Sequence, residues 1–428
     1  MRPGGRLAAV VELLDLIDTD RRPADMIVRD YFRQRRYAGS KDRAAVTEAV
    51  YDILRRRGEL DWRIGKSGGQ PDNRLRAFLA TLPELLDEAL SGEHAPQPTS
   101  KGEATVLAAA RTASGELSPG ARLNLPDWLV PKMVRGLPDA SPDDLAAAFA
   151  GRADVSIRVN GRKTARTALA GQLLEQGVET TEHPWVPTAL TLTNPKPLEH
   201  LPAFTEGLFE VQDAGSQYAG LMVDARPGMR IADICAGAGG KTLLLADRMG
   251  GEGDLLASDV DGRRLRRLEA RAARAGVANL VTTQVGPNAP WPAGWEASMD
   301  RVLIDAPCSG SGTWRRQPEQ RWRFTPERLA ELTRLQGGIL DRGARLVRPG
   351  GRLVYVTCSF LREENETAVT SFLDRAPEFR PLPWPDVVRE AAIPVPLGRK
   401  MTGDFMRLSP FDHGVDGFFA AVLERSIG

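Results

Sequence analysis

Apolar and polar positions follow three rhythms along this chain. Through residues 7–90 the apolar residues recur at helical spacing. Leu7, Val10, Val11, Leu14 and Ile17 share one face, as do Val46, Val50, Ile53 and Leu54 within 44–54, and the pattern returns over 75–90. Asp42 stands where it would cap the helix beginning at Ala44. Residues 91–103 are polar and rich in Pro and Gly, which predicts a loop. Short helical patterns then run to Ala150, among them 145–149 behind Ser141-Pro142. After Gly151 the rhythm is mixed: a strand at 155–159, a helix at 167–176, a strand at 188–193. From Phe209 onward strand and helix signals alternate, which predicts an α/β fold with a mostly parallel sheet and helices on both faces. Strands are expected at 230–234, 254–258, 280–285, 301–304, 352–356 and 417–423, and helices at 241–249, 263–275 and 327–346. The chain thus divides into an all-helical domain over 1–144, a small mixed α/β segment over 145–212 and a larger α/β domain over 213–428.

Composition narrows the class. At 428 residues the chain is too long for one ordinary core. Its apolar and charged fractions are those of a soluble globular protein, and no stretch approaches a membrane span. The first residues read as an amphipathic helix and not as a signal peptide. Three cysteines, Cys235, Cys308 and Cys358, are too few for a disulfide framework and predict a reducing, cytoplasmic location. With four scattered histidines and no closely spaced cysteine pair, no metal is expected. His183 and His413 read as surface or loop residues, and Trp291 and Trp295 as loop anchors.

Net charge is only +1, but charge is unevenly spread. Residues 29–57 hold nine Lys/Arg against four Asp/Glu, and Arg315, Arg316, Arg321 and Arg323 surround Trp314 and Trp322. Basic clusters with interleaved aromatics suit phosphate contact and base stacking. A solvated helix face has the same composition, so this signal is equivocal by itself.

The strand 230–234 runs into Cys235-Ala236-Gly237-Ala238-Gly239-Gly240-Lys241-Thr242 and then a helix. Glycines at such a turn let backbone approach a ligand at the carboxyl edge of the sheet. A phosphate loop would need glycine at Cys235, and a dinucleotide loop would need it at Thr242, so both fail. S-adenosylmethionine (SAM) fits better. Asp259, at the end of the next strand, is placed to accept the ribose hydroxyls of an adenosyl group, and Asp233 to hold the methionine end.

All three cysteines lie just past expected strands, on one edge of one sheet. Strand 301–304 ends in Asp305-Ala-Pro-Cys308-Ser-Gly-Ser-Gly, and strand 352–356 in Thr357-Cys358-Ser359. Inert packing is the plainer reading of any one of them and the better one for Cys235. Two thiols at strand ends suit a specific chemistry. Carbon 5 of cytosine is a poor nucleophile, and adding a thiolate to carbon 6 turns it into an enamine-like carbon able to take a methyl group. Asp305 could bond the ring nitrogen and amino group, and Lys241 could lower a thiol's pKa or orient the base.

These motifs, with Asp416-Gly-Phe-Phe-Ala420, Phe209-Glu-Val-Gln-Asp-Ala-Gly-Ser-Gln217 and Ile157-Arg-Val-Asn160, resemble the RsmB/Nop/Sun family of RNA cytosine-carbon-5 methyltransferases over most of the chain. The resemblance implies a Rossmann-like SAM-dependent methyltransferase domain. It implies that Cys358 is the nucleophile, that Cys308 aids product release, and that residues 235–241, Asp259 and Asp305 contact SAM. Arg35-Arg-Tyr-Ala-Gly-Ser-Lys-Asp-Arg43 resembles the NusB-like RNA-binding domain of bacterial members. The resemblance therefore implies an RNA partner, small-subunit ribosomal RNA before transfer RNA, and a monomer free of membrane and metal. Two departures bear on SAM affinity. Gly237 and Ala238 replace the family's Ala-Pro, and Gly286-Pro-Asn288 lacks the acid expected near the adenine. Two other readings stay open. A SAM enzyme acting on DNA or protein is one, and by DNA-enzyme logic Cys308 would then be the nucleophile. An RNA-binding assembly factor without turnover is the other.

Overall fold

The computed structural model describes residues 1–398 and 403–427. They form two compact units: Met1–Arg152 with Trp314–Phe324, and Ala153–Thr313 with Thr325–Gly428.

The first unit is helical. Its core gathers Leu13, Ile17, Val50, Ile64 and Phe78, all fully buried. The longest helix, Ser40–Lys66, extends well past the apolar pattern at 44–54. Asp42 is therefore not its cap, which is Gly39. It lies in the first turn, where a carboxylate complements the exposed N–H dipoles, and pairs with Arg6 at 2.7 Å. The expected loop 91–103 ends early, because Ser100 and Glu103 form a capping box that starts the helix Lys101–Thr112. Ser141 and Asp144 cap Pro142–Ala150 in the same way.

Trp314–Phe324 is part of this helical unit, and Trp314, Arg321, Trp322 and Arg323 find partners within it. Trp314 is 1% exposed and packs on Phe149 and Phe324. Arg321 is fully buried and donates to the carbonyls of Pro318 and Arg55. Arg323 donates to the carbonyls of Ile17, Asp20, Arg21 and Arg22, closing the end of the helix Pro3–Thr19. Trp322 donates to Leu54 O at 3.4 Å beneath Arg57. Composition left two readings open for this cluster, RNA contact and a solvated face; Trp314, Arg321 and Arg323 fit neither, because their partners lie within the helical unit. Of the basic run at 29–57, Arg29, Arg33, Arg36 and Lys41 stay exposed.

The second unit holds two sheets. The smaller joins β1 (Ser156–Val159), β2 (Thr180–Glu182), β3 (Ala189–Leu192) and β4 (Phe209–Val211) in the order β2-β3-β1-β4, all antiparallel. The helix Arg166–Glu175 covers it through Leu169 and Leu173. The larger contains β5 (Arg230–Asp233), β6 (Asp254–Asp259), β7 (Leu280–Gln284), β8 (Met299–Asp305), β9 (Val347–Thr357), β10 (Phe379–Leu382), β11 (Met406–Leu408) and β12 (Phe418–Arg425). Its order is β10-β12-β9-β8-β5-β6-β7, with β11 on β12.

Strands β5 to β9 are parallel, and β12 and β10 extend the sheet antiparallel. Of the parallel strands, β5, β6, β8 and β9 are largely buried, which is why β5, β8 and β9 read as apolar runs, whereas the edge strand β7 is half-exposed. The chain winds outward from β5 through β6 to β7, then returns to lay β8 on the other side of β5. That reversal opens a crevice beyond the carboxyl ends of β5 and β8.

Candidate active site

The crevice receives the loops that follow β5, β6, β8 and β9. After β5 the chain turns through Cys235, Ala236, Gly237, Ala238 and Gly239 into the helix Gly240–Arg248. Gly239 has φ +87°, and a Cβ there would sit 2.1 Å from Leu268 Cδ1. Only glycine permits both that conformation and that close approach. Gly237, at φ +55°, faces open space: a Cβ there would meet no atom within 4 Å. Its N–H donates to Asp259 Oδ2 at 2.9 Å, and Asp261 N–H donates to Asp259 Oδ1 at 2.8 Å. Each carboxylate oxygen retains acceptor capacity after one such bond. From behind, Arg271 donates to Ala238 O at 2.6 Å and is held by Glu210 of β4.

Asp233 ends β5 fully buried. Oδ2 accepts from Thr242 Oγ1 at 2.7 Å, and Oδ1 has no partner among the described residues. Burial raises this carboxyl to about 7, against the Thr242 bond and Lys241. Such an orphaned buried acceptor fits an ammonium group such as that of the methionine half of SAM. A cavity of about 710 Å³ continues along the strand ends past Cys235, Ser258, Val260 and Gly286 to Asn288. Its far wall is the helix Pro326–Ala344. An adenosyl group belongs in such a cleft. The residues present therefore fit SAM: Asp259 could accept its ribose hydroxyls, and Gly286 and Asn288 line the part of the cavity that could take its base. Burial pushes the Cys235 thiol up, favouring its protonated form.

Past β8, Asp305 Oδ2 pairs with Lys241 Nζ at 2.7 Å, and the ammonium also lies over the Phe418 ring. Lys241 is 6% exposed. The Lys241 ammonium is thus held by Asp305 Oδ2, and Asp305 Oδ1 stands outside that pair. Beyond it, Cys308 Sγ and Cys358 Sγ lie 3.5 Å apart, both part-exposed. The hydrogen bond to Cys358 and then burial drive Cys308's ionisation well up, and Glu364 adds to this. Cys308 is thereby held as a thiol beside Cys358.

No sequence pattern marks what joins these two loops. Glu364, fully buried, takes hydrogen bonds from Ser309 beside Cys308, from Ser359 beside Cys358, and from Gln336. Its only signal is the acidic run Glu363-Glu364-Asn365-Glu366, which resembles a solvated turn. His413, expected at the surface, is 8% exposed, accepts from Ser409 N–H and packs on Trp185.

A family model described as 16S rRNA methyltransferase RsmB/F matches residues 221–424, and one described as an RsmF/B-like ferredoxin-like domain matches 125–199. The "Probable ribosomal RNA small subunit methyltransferase B" of Synechocystis is 31% identical over 418 residues, covering 90% of this chain and 92% of its own. The "Ribosomal RNA small subunit methyltransferase B" of Salmonella heidelberg is 33% identical over 371 residues, covering 79% and 83%. Among solved structures, PH0851 superposes with a TM-score of 0.78 at 30% identity over 99% of both chains. NSun6 from Pyrococcus horikoshii with SFG gives 0.62 at 20% identity over 71% and 98%, a likeness of fold.

Proposed function

The chain belongs to the RsmB/F family of 16S rRNA methyltransferases, and on that premise we propose that it methylates carbon 5 of a cytosine in small-subunit ribosomal RNA through a transient bond between Cys358 and the base. Family membership makes it a SAM-dependent RNA methyltransferase. The choice of atom and the covalent step are what we add, and the observation that carries them is the 3.5 Å meeting of two cysteine sulfurs beside the Lys241–Asp305 pair.

Bound SAM supplies an electrophilic methyl group. The residues of the chain do the rest. The target base must leave any stack to reach the crevice. Asp305, held by Lys241, receives the cytosine amino group on Oδ1 and orients the ring. The Cys358 thiolate adds to carbon 6, and the electron pair of the carbon 5–carbon 6 double bond becomes available at carbon 5. Carbon 5 takes the methyl and later gives its proton to a solvent base. The double bond then re-forms as the sulfur–carbon bond breaks and Cys358 leaves as thiolate. The hydrogen bond to Cys358 and burial favour the thiol form of Cys308, and we assign it to the release step, where its S–H hydrogen-bonds the departing Cys358 thiolate. The helical unit, with Arg29, Arg36 and Lys41 exposed, serves as the RNA-binding NusB-like domain in this reading.

Separate cysteine substitutions test the proposal. C358S should abolish methyl transfer and leave SAM affinity nearly unchanged. C308S should accumulate a denaturant-resistant protein–RNA adduct when RNA and SAM are both supplied. Full turnover in C358S, or an adduct that forms through Cys308 instead, refutes the assignment. Bisulfite sequencing of ribosomal RNA from a deletion strain identifies the base, and an unchanged 5-methylcytosine pattern there rules out the substrate.

A further inference from the structure

Two loops carry the cysteines, and they leave the carboxyl ends of the paired strands β8 and β9. Beyond that pairing, the distance between them depends on the bonds that cross from one loop to the other. The residues after Cys308 and Cys358 are both serines, and both point at one carboxyl. Glu364 Oε1 accepts from Ser309 N–H at 2.8 Å and from Gln336 Nε2 at 3.0 Å. Oε2 accepts from Ser309 Oγ and from Ser359 Oγ, each at 2.5 Å. The two hydroxyls also lie 3.1 Å from one another. Ser311 Oγ receives Phe360 N–H at 2.8 Å, and Gly312 N–H donates to Cys358 O at 2.9 Å, so further bonds tie the same loops. Asn365 Nδ2 fastens Ser359 O at 2.8 Å, and its Oδ1 accepts from Thr357 Oγ1, fixing the second loop to the turn that carries Glu364.

We propose that Glu364 is a positioning residue for the reaction: its buried carboxyl clamps the Cys308 loop to the Cys358 loop and thereby sets the distance between the two sulfurs. This rests on the two-thiol reading above. Burying a carboxyl is unfavourable unless its oxygens are satisfied. Here four donors converge on it from three separate segments, and two of those segments are the reactive loops. A carboxyl needed only for packing could be replaced by apolar atoms; one that joins two reacting groups cannot, because a displacement of about 1 Å at such a site costs on the order of 100-fold in rate. The charge of Glu364 also contributes to keeping Cys308 a thiol.

The test uses the full-length protein and the bifunctional thiol reagent dibromobimane, with the Cys308–Cys358 bridged peptides measured by mass spectrometry. E364A should lower the bridging rate about 10-fold and kcat about 100-fold, while SAM Kd stays within about twofold. E364Q keeps an acceptor for Ser309 N–H and Gln336, and its amide can donate to the serine hydroxyls. It should restore both quantities to within about fivefold of wild type, a rescue that a purely charge-based role would not show. Bridging and kcat within about twofold of wild type in E364A overturn the proposal. If E364A does not fold, S359A and Q336A each remove one donor and should each slow bridging severalfold; unchanged bridging in both overturns it equally. The bridging assay needs neither RNA nor methyl transfer. Activity retained in C358S would thus sink the covalent chemistry, whereas unaltered bridging in E364A would sink the clamp.

Discussion

Replacing Asp233 by Asn removes a charge from the deepest point of the glycine loop and keeps the side chain's size. In the folded protein burial lifts this carboxyl from its ordinary 3.8 to about 7. The unfolded chain therefore gives up the proton near 3.8, and the folded chain keeps it until about pH 7. Through that window the native state binds more protons than the unfolded state, so stability is fully present below it and falls as pH rises through it. Each pH unit inside the window costs about 1.4 kcal/mol. Between about pH 5 and about pH 8 wild type crosses about two units of it, a loss on the order of 2.5 kcal/mol. Asn still accepts from Thr242 Oγ1 and has nothing to ionise, but its amide N–H replaces an oxygen that lacks a partner. D233N should therefore trail wild type by about 1 kcal/mol at the lower pH, from the unsatisfied donor, and exceed it by about 1.5 kcal/mol at the higher. Urea midpoints at the two pH values, with unchanged slopes, measure this. An equal difference between the two proteins at both pH values refutes the reasoning. The same substitution should weaken SAM binding about 10-fold at the higher pH if Asp233 holds the ammonium, because it deletes that charge.

Three further outcomes rest on the geometry. R323A strips the carbonyls of Ile17, Asp20, Arg21 and Arg22 of their donor; it should destabilise the helical unit by about 2–3 kcal/mol and leave the salt dependence of RNA binding unchanged, whereas a shallower salt slope would place Arg323 on the RNA. G239A forces φ +87° on a residue with a Cβ 2.1 Å from Leu268 Cδ1; titration should show SAM affinity down at least about 10-fold, with about 1–3 kcal/mol of stability lost in thermal melts. G286D restores an acid where the family carries one, and its Cβ would meet only Ala289 Cβ at 3.8 Å; calorimetry should find SAM bound about 5-fold more tightly, and no gain would mean that Gly286 does not face the adenine.

Where the chain can be read in advance, the signals are local. A strand, a glycine turn and a helix occupy consecutive residues from Arg230 to Arg248, so the loop around Gly239 is legible without any tertiary knowledge. The same holds for Asp305 and Cys308 after β8, and for Cys358 after β9. The apolar rhythm underestimates the helix Ser40–Lys66 because Gly58 and Gly65 interrupt it, although both glycines sit inside the helix. Burial is the harder property. Trp314 and Arg321 have the composition of an RNA-facing cluster, and only the three-dimensional partners, Phe149 and the carbonyl of Arg55, show that they face inward. Glu364 is the converse: an acid in an acidic run, buried by loops distant in sequence.

The return of Trp314–Phe324 to the helical unit has a consequence for synthesis. A ribosome that has finished Arg152 must still make residues 153–324 before this unit's last piece, Trp314–Phe324, is complete. At about 5–20 residues per second the nascent helices wait roughly 10–30 s with the site for Trp314 unfilled. During that interval the catalytic sheet has begun to emerge as well. The halves must mature together, and chaperones that shield exposed apolar surface should be found on ribosomes paused anywhere within that stretch.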